Sequence, residues 1–338
     1  MHALTPGRAK SGPSRAAVAR AAAGLRTAAE GLAMKTLDPG AHRVAWRARR
    51  GLLAALLSAA TAMAWAQGFV LRDDLGTEHR FAQPPQRIVT LLPSLTETAW
   101  VLGVGPRLVG VDRFSNWPAE IAPLPRLGGL EDVQIEAIAR LKPDVVLAST
   151  SARSLDRLEA LGFVVLRLKS DSHADVRRTL GLVARLLGTP AEGERVWARL
   201  EGQIAAAAAR VPAAVRGQRV YFEIGGGPYA AGTTSFIGET LARLGMANIV
   251  PPDLGPFPKL NPEFVVRARP DLVMGVQREQ AALLARPGWQ AVPALRDRRV
   301  CGFESAAYET LIRPGPRLGE AAALLADCLQ RVAAGGSR

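Results

Sequence analysis

The side chains in this chain with chemistry to offer are mainly rings and cations. Aromatic residues make up only 5% of the sequence, yet Phe114, Trp117, Tyr229, Phe257 and Tyr308 are all expected in loops facing a cleft. Flat aromatic walls suit a large, partly apolar, planar ligand, although any one ring serves equally well as core packing. Pro93 and Ser94, Gly129, and the segment from Tyr308 to Arg313 lie in neighbouring loops of the same kind. Arg313 has two readings of equal weight: it meets a carboxylate or phosphate of a ligand, or it caps the carbonyls of a nearby turn.

Catalytic and metal chemistry find little support. After residue 66 the only histidines are His79, on a hairpin, and His173, at a helix start. A Zn or Mn receptor needs three or four converging N/O ligands, and a nucleophile needs a base. Gly225-Gly226-Gly227-Pro228-Tyr229-Ala230 formally fits G-x-G-x-x-A, but Pro228 interrupts it and the next helix opens only at Ser235. Such glycines would not sit at a helix N-terminus, where a pyrophosphate binds. The loop reads as a ligand-facing turn.

The elements that must position these loops come in two sets. Residues 135–149 and 262–276 carry the same phrase 127 positions apart, with Glu136/Glu263, Arg140/Arg267, Pro143/Pro270, Asp144/Asp271 and Val146/Val273 identical. Each copy reads as a short amphipathic helix, a Pro-Asp turn and a buried strand. Phe69 to Phe81 alternates around Asp73-Asp74-Leu75-Gly76, a hairpin signal. Arg87–Leu92, Leu108–Val111, Val164–Leu168, Arg219–Ile224 and Val300–Phe303 read as further strands. Ser94 with Glu97 reads as a capping box opening a helix to Gly103. Further helices are expected over His173–Leu187, from Ser235 to Leu244, and over Pro314–Leu329. Ala191 to Val211 reads as one helix of about 20 residues, spanning about 30 Å. With no Gly/Ser linker present, it is expected to be a rigid strut.

The predicted fold is α/β: two Rossmann-like lobes with mostly parallel sheets, joined by a long rigid helix, with a ligand cleft between them. Residues 1–66 form a leader, 67–86 a hairpin, 87–189 the first lobe, 190–212 the connecting helix and 213–330 the second lobe.

The net charge of +13 divides unevenly. Residues 1–66 hold ten Lys/Arg and two Asp/Glu, and the remainder 33 and 28. Without a dense basic patch in the body of the chain, nucleic-acid binding ranks low. Arg43 to Arg50, the apolar run Gly51–Met63 and Ala64-Trp65-Ala66 together read as a signal peptide cleaved after Ala66. Either Met1 or Met34 fits as the start, and Arg49-Arg50 leaves the Sec and twin-arginine routes both open. Export permits disulfides, so Cys301 and Cys328 either pair or are two buried thiols.

R-I-V-T-L-L-P-S-L-T-E (87–97), L-V-G-V-D-R-F-S-N-W-P (108–118), the paired Pro-Asp phrases and R-P-G-P-R-L (313–318) together resemble a known family. It is the periplasmic binding proteins of ABC importers for cobalamin, siderophores and haem, and the chain is most similar to the cobalamin-binding member. The resemblance spans roughly Arg87 to Leu329. It implies a periplasmic, monomeric, non-enzymatic protein with no resident cofactor. Such a protein captures a corrinoid or another metal chelate and delivers it to an importer's permease dimer. It also implies that Glu136 and Glu263 dock onto permease arginines, a contact giving orientation and on-rate more than affinity. Leu130 stands where the cobalamin binder carries an aromatic ring, and Glu309 falls near an acidic contact on its last loop.

Overall fold

The computed structural model describes residues 68–152 and 155–335; the leader and its cleavage site lie outside the described residues. A hairpin of β1 (Phe69–Arg72) and β2 (Glu78–Phe81) comes first. Next come β3 (Ile88–Thr90), α1 (Pro93–Ala99), β4 (Leu108–Val111), α2 (Ile135–Leu141), β5 (Val145–Ser149), α3 (Asp156–Ala160) and β6 (Val165–Leu168). They form a parallel sheet of order β4-β3-β5-β6. Helices α4 (His173–Leu187) and α5 (Pro190–Ala209) lead to the second lobe. It contains β7 (Arg219–Ile224), β8 (Tyr229–Ala230), α6 (Phe236–Arg243), β9 (Ala247–Asn248), α7 (Pro262–Ala268), β10 (Leu272–Val276), α8 (Gln280–Ala285), α9 (Pro293–Arg296), β11 (Val300–Phe303), α10 (Ser305–Leu311) and α11 (Leu318–Ala333). Here β11, β10 and β7 run parallel, while β8 and β9 share the other edge of β7, β8 being antiparallel.

The duplicated phrase does the same mechanical job in each lobe. Helices α2 and α7 both end on a left-handed residue, Lys142 (φ 46°) or Arg269 (φ 48°), and the proline that follows prevents continuation. The Asp144 carboxylate then accepts the amides of Gln86 and Arg87 at 2.7 and 2.8 Å. The Asp271 carboxylate accepts that of Arg219 at 2.8 Å. The same two arginines donate to the helix-end carbonyls of Leu141 and Arg269. Each Pro-Asp therefore fixes where the first strand of its lobe, β3 or β7, enters beside β5 or β10.

Alternation along these strands partitions the core. Ile88, Val220 and Phe222 face one continuous apolar cluster that runs through both lobes and includes Val196, Leu200 and Ile204 of α5. Val89 and Tyr221 face separate clusters on the outer sides of the two sheets. Helix α5 buries Gly193, Val196, Leu200, Ile204 and Ala207, a single stripe at helical spacing. A β-carbon on Gly193 would come within 2.7 Å of the Ala184 side chain, so glycine is what lets α5 pack closely on α4. Cys301 of β11 and Cys328 of α11 form a disulfide with a Cα–Cα separation of 6.0 Å, resolving the alternative left open by the sequence.

Three expectations need correction. Helix α1 starts at Pro93 with Leu92 as N-cap, and the Ser94/Glu97 capping box does not form. Proline at the first helical position suits the start, and Glu97 is engaged elsewhere. Beyond Ala99 the chain continues as a single wide π turn, Trp100–Val104. The last helix begins at Leu318 because Pro314 and Pro316 bar an earlier start, and α10 precedes it.

Candidate functional site

The carboxyl ends of β3 and β4 in one lobe, and of β7 and β10 in the other, face a shared cleft. A cavity of about 620 Å³ is lined on the first side by Leu92, Pro93, Ser94, Arg113, Phe114 and Asn116. On the second side stand Gly225, Val276, Arg278, Ser305, Tyr308, Glu309, Ile312, Arg313 and Pro314. A second cavity of about 300 Å³ shares Leu92, Pro93, Arg113 and Phe114, and extends over Gly129, Leu130, Glu131 and Asp132 of the first lobe.

Phe114, 59% exposed, is the main apolar surface at the junction of the two cavities. A buried polar network holds its loop. Asp112, below the surface, accepts the Phe114 amide at 2.8 Å and the Ser115 hydroxyl. Ser115 continues through Thr96 to Thr90 at 2.7 Å each. Burial raises the pKa of Asp112 against these hydrogen bonds. The adjoining turn is held by Asp132, whose carboxylate accepts the Gly129 amide at 2.8 Å and pairs with Arg113. The Gly129 amide, followed by the Arg113 charge, keeps the pKa of Asp132 low.

On the opposite wall Gly225, Gly226 and Gly227 all have positive φ (63°, 80° and 80°), a run only glycine makes without strain. The loop leads into strand β8, and the next helix starts at Phe236, so this is a turn without a phosphate-binding helix behind it. The Tyr308 hydroxyl accepts the Gly225 amide at 2.7 Å and donates to the Glu223 carbonyl at 3.3 Å. Its ring stacks on Phe222, and burial raises its pKa.

Pro93, Ser94, Phe114, Gly129, Leu130, Tyr308, Glu309 and Arg313 thus stand on the cavity walls. Trp117, Tyr229 and Phe257 do not, and the expected aromatic groove is reduced to Phe114 and one edge of Tyr308. Trp117 is drawn to Arg317, whose guanidinium lies 5.2 Å from the ring centre. Phe257 packs on Phe236 of α6, with ring centres 5.7 Å apart. Tyr229 sits exposed on edge strand β8, opposite Ile224.

Arg313 bridges the lobes. It donates to Glu97 at 2.9 Å, Asn116 Oδ1 at 2.8 Å, the Phe114 carbonyl at 3.1 Å and Glu309 at 2.8 Å. With 8% of its side chain exposed, it is committed to protein partners: two carboxylates, one side-chain amide oxygen and a single turn carbonyl, that of Phe114. Burial raises the Glu97 pKa in spite of Arg313 and Arg317. A second bridge joins His173 to α6: its amide donates to Glu239 and its Nε2 lies 2.8 Å from the Thr240 hydroxyl. Sequence reading missed both bridges, because nothing local marks a partner that folding brings from the other lobe; it also missed Asp112 and Arg278, whose place on the cavity walls is defined only once the sheets are folded.

Glu136 and Glu263 lie in the first turns of α2 and α7, well exposed, with only loose contacts to Arg157 (3.5 Å) and Arg267 (4.0 Å).

Two α/β lobes, a rigid helical connection and a polar-rimmed interlobe cavity define a two-lobed solute-binding protein. Comparison with known proteins agrees: residues 88–307 match the family described as periplasmic binding protein, and the chain belongs to that family. An uncharacterized ABC transporter substrate-binding lipoprotein of Bacillus subtilis is 26% identical over 72% of this chain and 80% of its own. A vitamin B12-binding protein of Pectobacterium carotovorum is 26% identical over 75% of this chain and 91% of its own. Among solved structures, the apo form of the periplasmic heme-binding protein RhuT from Roseiflexus sp. RS-1 superposes with a TM-score of 0.63, at 29% identity, covering 73% of this chain and 99% of that one.

Proposed function

We propose that this protein captures a corrinoid outside the cytoplasm and hands it to the permease of an ABC importer, with Glu136 and Glu263 as the docking acids. One observation carries the choice of ligand. Among the described residues no His, Cys or Met lines either cavity, and the hydroxyl of the lining Tyr308 is already engaged on both sides. A haem iron would therefore find no histidine, cysteine or methionine donor on these walls. Cobalamin brings its own axial groups, whereas haem iron commonly takes an axial donor from the protein. The vitamin B12-binding relative supports the same reading. A ferric siderophore also carries a complete coordination sphere, and the arginines on the cavity wall favour it as the second reading.

Calorimetric titration of the purified protein with cyanocobalamin, ferric siderophores and haem tests the proposal. Cyanocobalamin binding without turnover is the expected result. Binding of haem alone, with a Soret shift reporting a protein axial ligand, would overturn it.

A further inference from the structure

Of the positions that are identical in the two copies of the repeated phrase, three have a job inside the protein. Pro143 and Pro270 stop their helices, Asp144 and Asp271 hold the neighbouring strand, and Val146 and Val273 are buried in the sheets. The charged pair has none. Glu136 and Glu263 lie in the first turns of α2 and α7, Arg140 and Arg267 in the last turns, and all four are exposed. Among the described residues Arg140 has no hydrogen-bond or ion-pair partner. Arg267 reaches only Glu263, at 4.0 Å. The usual use of a cation at a helix end is to answer its free carbonyls. Here that place is taken: Arg87 donates to the carbonyls of Leu141 and Lys142, and Arg219 to that of Arg269. Two residues further on, Lys142 and Arg269 add another exposed cation to each copy. Each lobe therefore turns the same acid-then-base couple outward on one helix face.

We infer that Arg140 and Arg267 are a second pair of docking charges, one on each lobe, each meeting a carboxylate of the permease beside the group that meets Glu136 or Glu263. The inference rests on the docking reading and specifies its partner. Each half of that partner presents a cation for the glutamate and an acid for the arginine, about one helical turn apart. A uniformly cationic partner surface would repel helices that carry one acid and two bases apiece. A lone acid on each lobe fixes where that lobe sits. An acid and a base in fixed order also fix its direction, because a reversed approach sets like charges against each other. The same couple on both lobes suits a partner built from two equivalent subunits. An anionic lipid surface fits less well, since Glu136 and Glu263 on the same faces would be pressed toward it against their charge.

The test follows uptake of labelled cyanocobalamin by spheroplasts of the producing organism that lack this protein, supplied with increasing amounts of the purified, loaded protein. Wild type is compared with Glu136→Ala/Glu263→Ala, Arg140→Ala/Arg267→Ala, Arg140→Glu/Arg267→Glu and Arg140→Lys/Arg267→Lys. The arginine-to-alanine pair should raise the half-saturating protein concentration about fivefold. The arginine-to-glutamate pair should raise it about 20-fold or more, because repulsion replaces attraction, and the lysine pair should stay within about twofold of wild type. The dependence on ionic strength should weaken in the alanine pair. Calorimetry should give all the arginine variants the cyanocobalamin affinity of wild type. The inference is overturned if the arginine-to-glutamate pair supports uptake within about twofold of wild type. It is also overturned if the alanine pair lowers Tm with uptake unchanged, the mark of a helix-dipole role. Loss of binding to permease-free phosphatidylglycerol vesicles in step with uptake would make lipid the partner and overturn it as well. Uptake that survives Glu136→Ala/Glu263→Ala removes the docking reading instead, and a wild type that supports no uptake removes capture itself.

Discussion

Replacing Arg313 by Met tests whether the lobes are held at a fixed spacing by a buried charge. The substitution keeps most of the side-chain volume and removes the donors to Glu97, Asn116, Glu309 and the Phe114 carbonyl. Glu97, with 1% of its side chain exposed, would keep only Arg317, at 3.8 Å. Removing one partner of a buried ion pair costs about 3–5 kcal/mol, which in a unit of this size lowers Tm by roughly 6–20 °C. The pH dependence carries a definite sign. Burial raises the folded-state pKa of Glu97 above its unfolded value, so the native state holds this proton more tightly. Its contribution to stability is fully present below the unfolded pKa and is lost as pH rises through the folded one. Without Arg313 the folded pKa rises further, so the deficit of Arg313→Met should shrink on acidification from pH 8 toward pH 5. Glu97→Gln in the same background should recover much of the loss at pH 8. Thermal melts of the wild type, Arg313→Met and the double variant across that range are sufficient. A Tm for Arg313→Met within about 2 °C of wild type at pH 8 would refute the reasoning. So would a deficit that does not vary with pH.

Three further outcomes are expected. Replacing Cys301 and Cys328 together by Ala opens a link between residues 27 apart and should cost about 3.5 kcal/mol by loop entropy, read as a lower denaturation midpoint that reductant reproduces in the wild type. Phe114→Ala should weaken ligand binding roughly tenfold, whereas Trp117→Ala and Phe257→Ala should lower Tm and leave affinity nearly unchanged; calorimetry and melting curves separate the two cases. The double variant Glu136→Ala, Glu263→Ala should leave ligand affinity intact and abolish uptake through the permease, and a collapse of affinity would show that these acids serve the cleft.

The duplicated phrase was legible because its chemistry is local. Pro143-Asp144 and Pro270-Asp271 end a helix and clamp the neighbouring strand with groups whose roles are set by residue type. The strut was legible because Val196, Leu200, Ile204 and Ala207 recur at helical spacing. Capping of α1 was misread for the opposite reason. Ser94-x-x-Glu97 has the right letters, but Glu97 is claimed by Arg313, 216 residues away. The aromatic residues failed similarly: Trp117 is captured by Arg317 and Phe257 by Phe236. Loop position tells which end of the sheet a ring belongs to and leaves open which neighbour claims it. His173 reads as an ordinary helix start, and only the docking of α6 against it makes it an interlobe contact.

Those interlobe contacts decide how the cleft can operate. The lobes share one continuous apolar core, and Arg313 and His173 stitch them on top of it. Opening the cleft wide would break at least the Arg313–Glu97 pair. It would also part the apolar core that both lobes share, so the closed arrangement dominates. The ligand therefore meets a preformed cavity and loses little affinity to ordering it. Release by spontaneous gaping is correspondingly rare, so a partner that prises the lobes apart must supply the free energy for delivery. Two backbone amides report on this directly. The Phe236 N–H donates to the Asp171 carbonyl at 2.6 Å, and the His173 N–H to Glu239 at 2.5 Å, each across the lobe boundary. In the free protein both should exchange with solvent as slowly as amides of the central strands, because only near-global opening exposes them. Exchange at these two amides that is orders of magnitude faster than in β3 and β7 would mean that the lobes part on their own, and the preformed cavity would have to be given up.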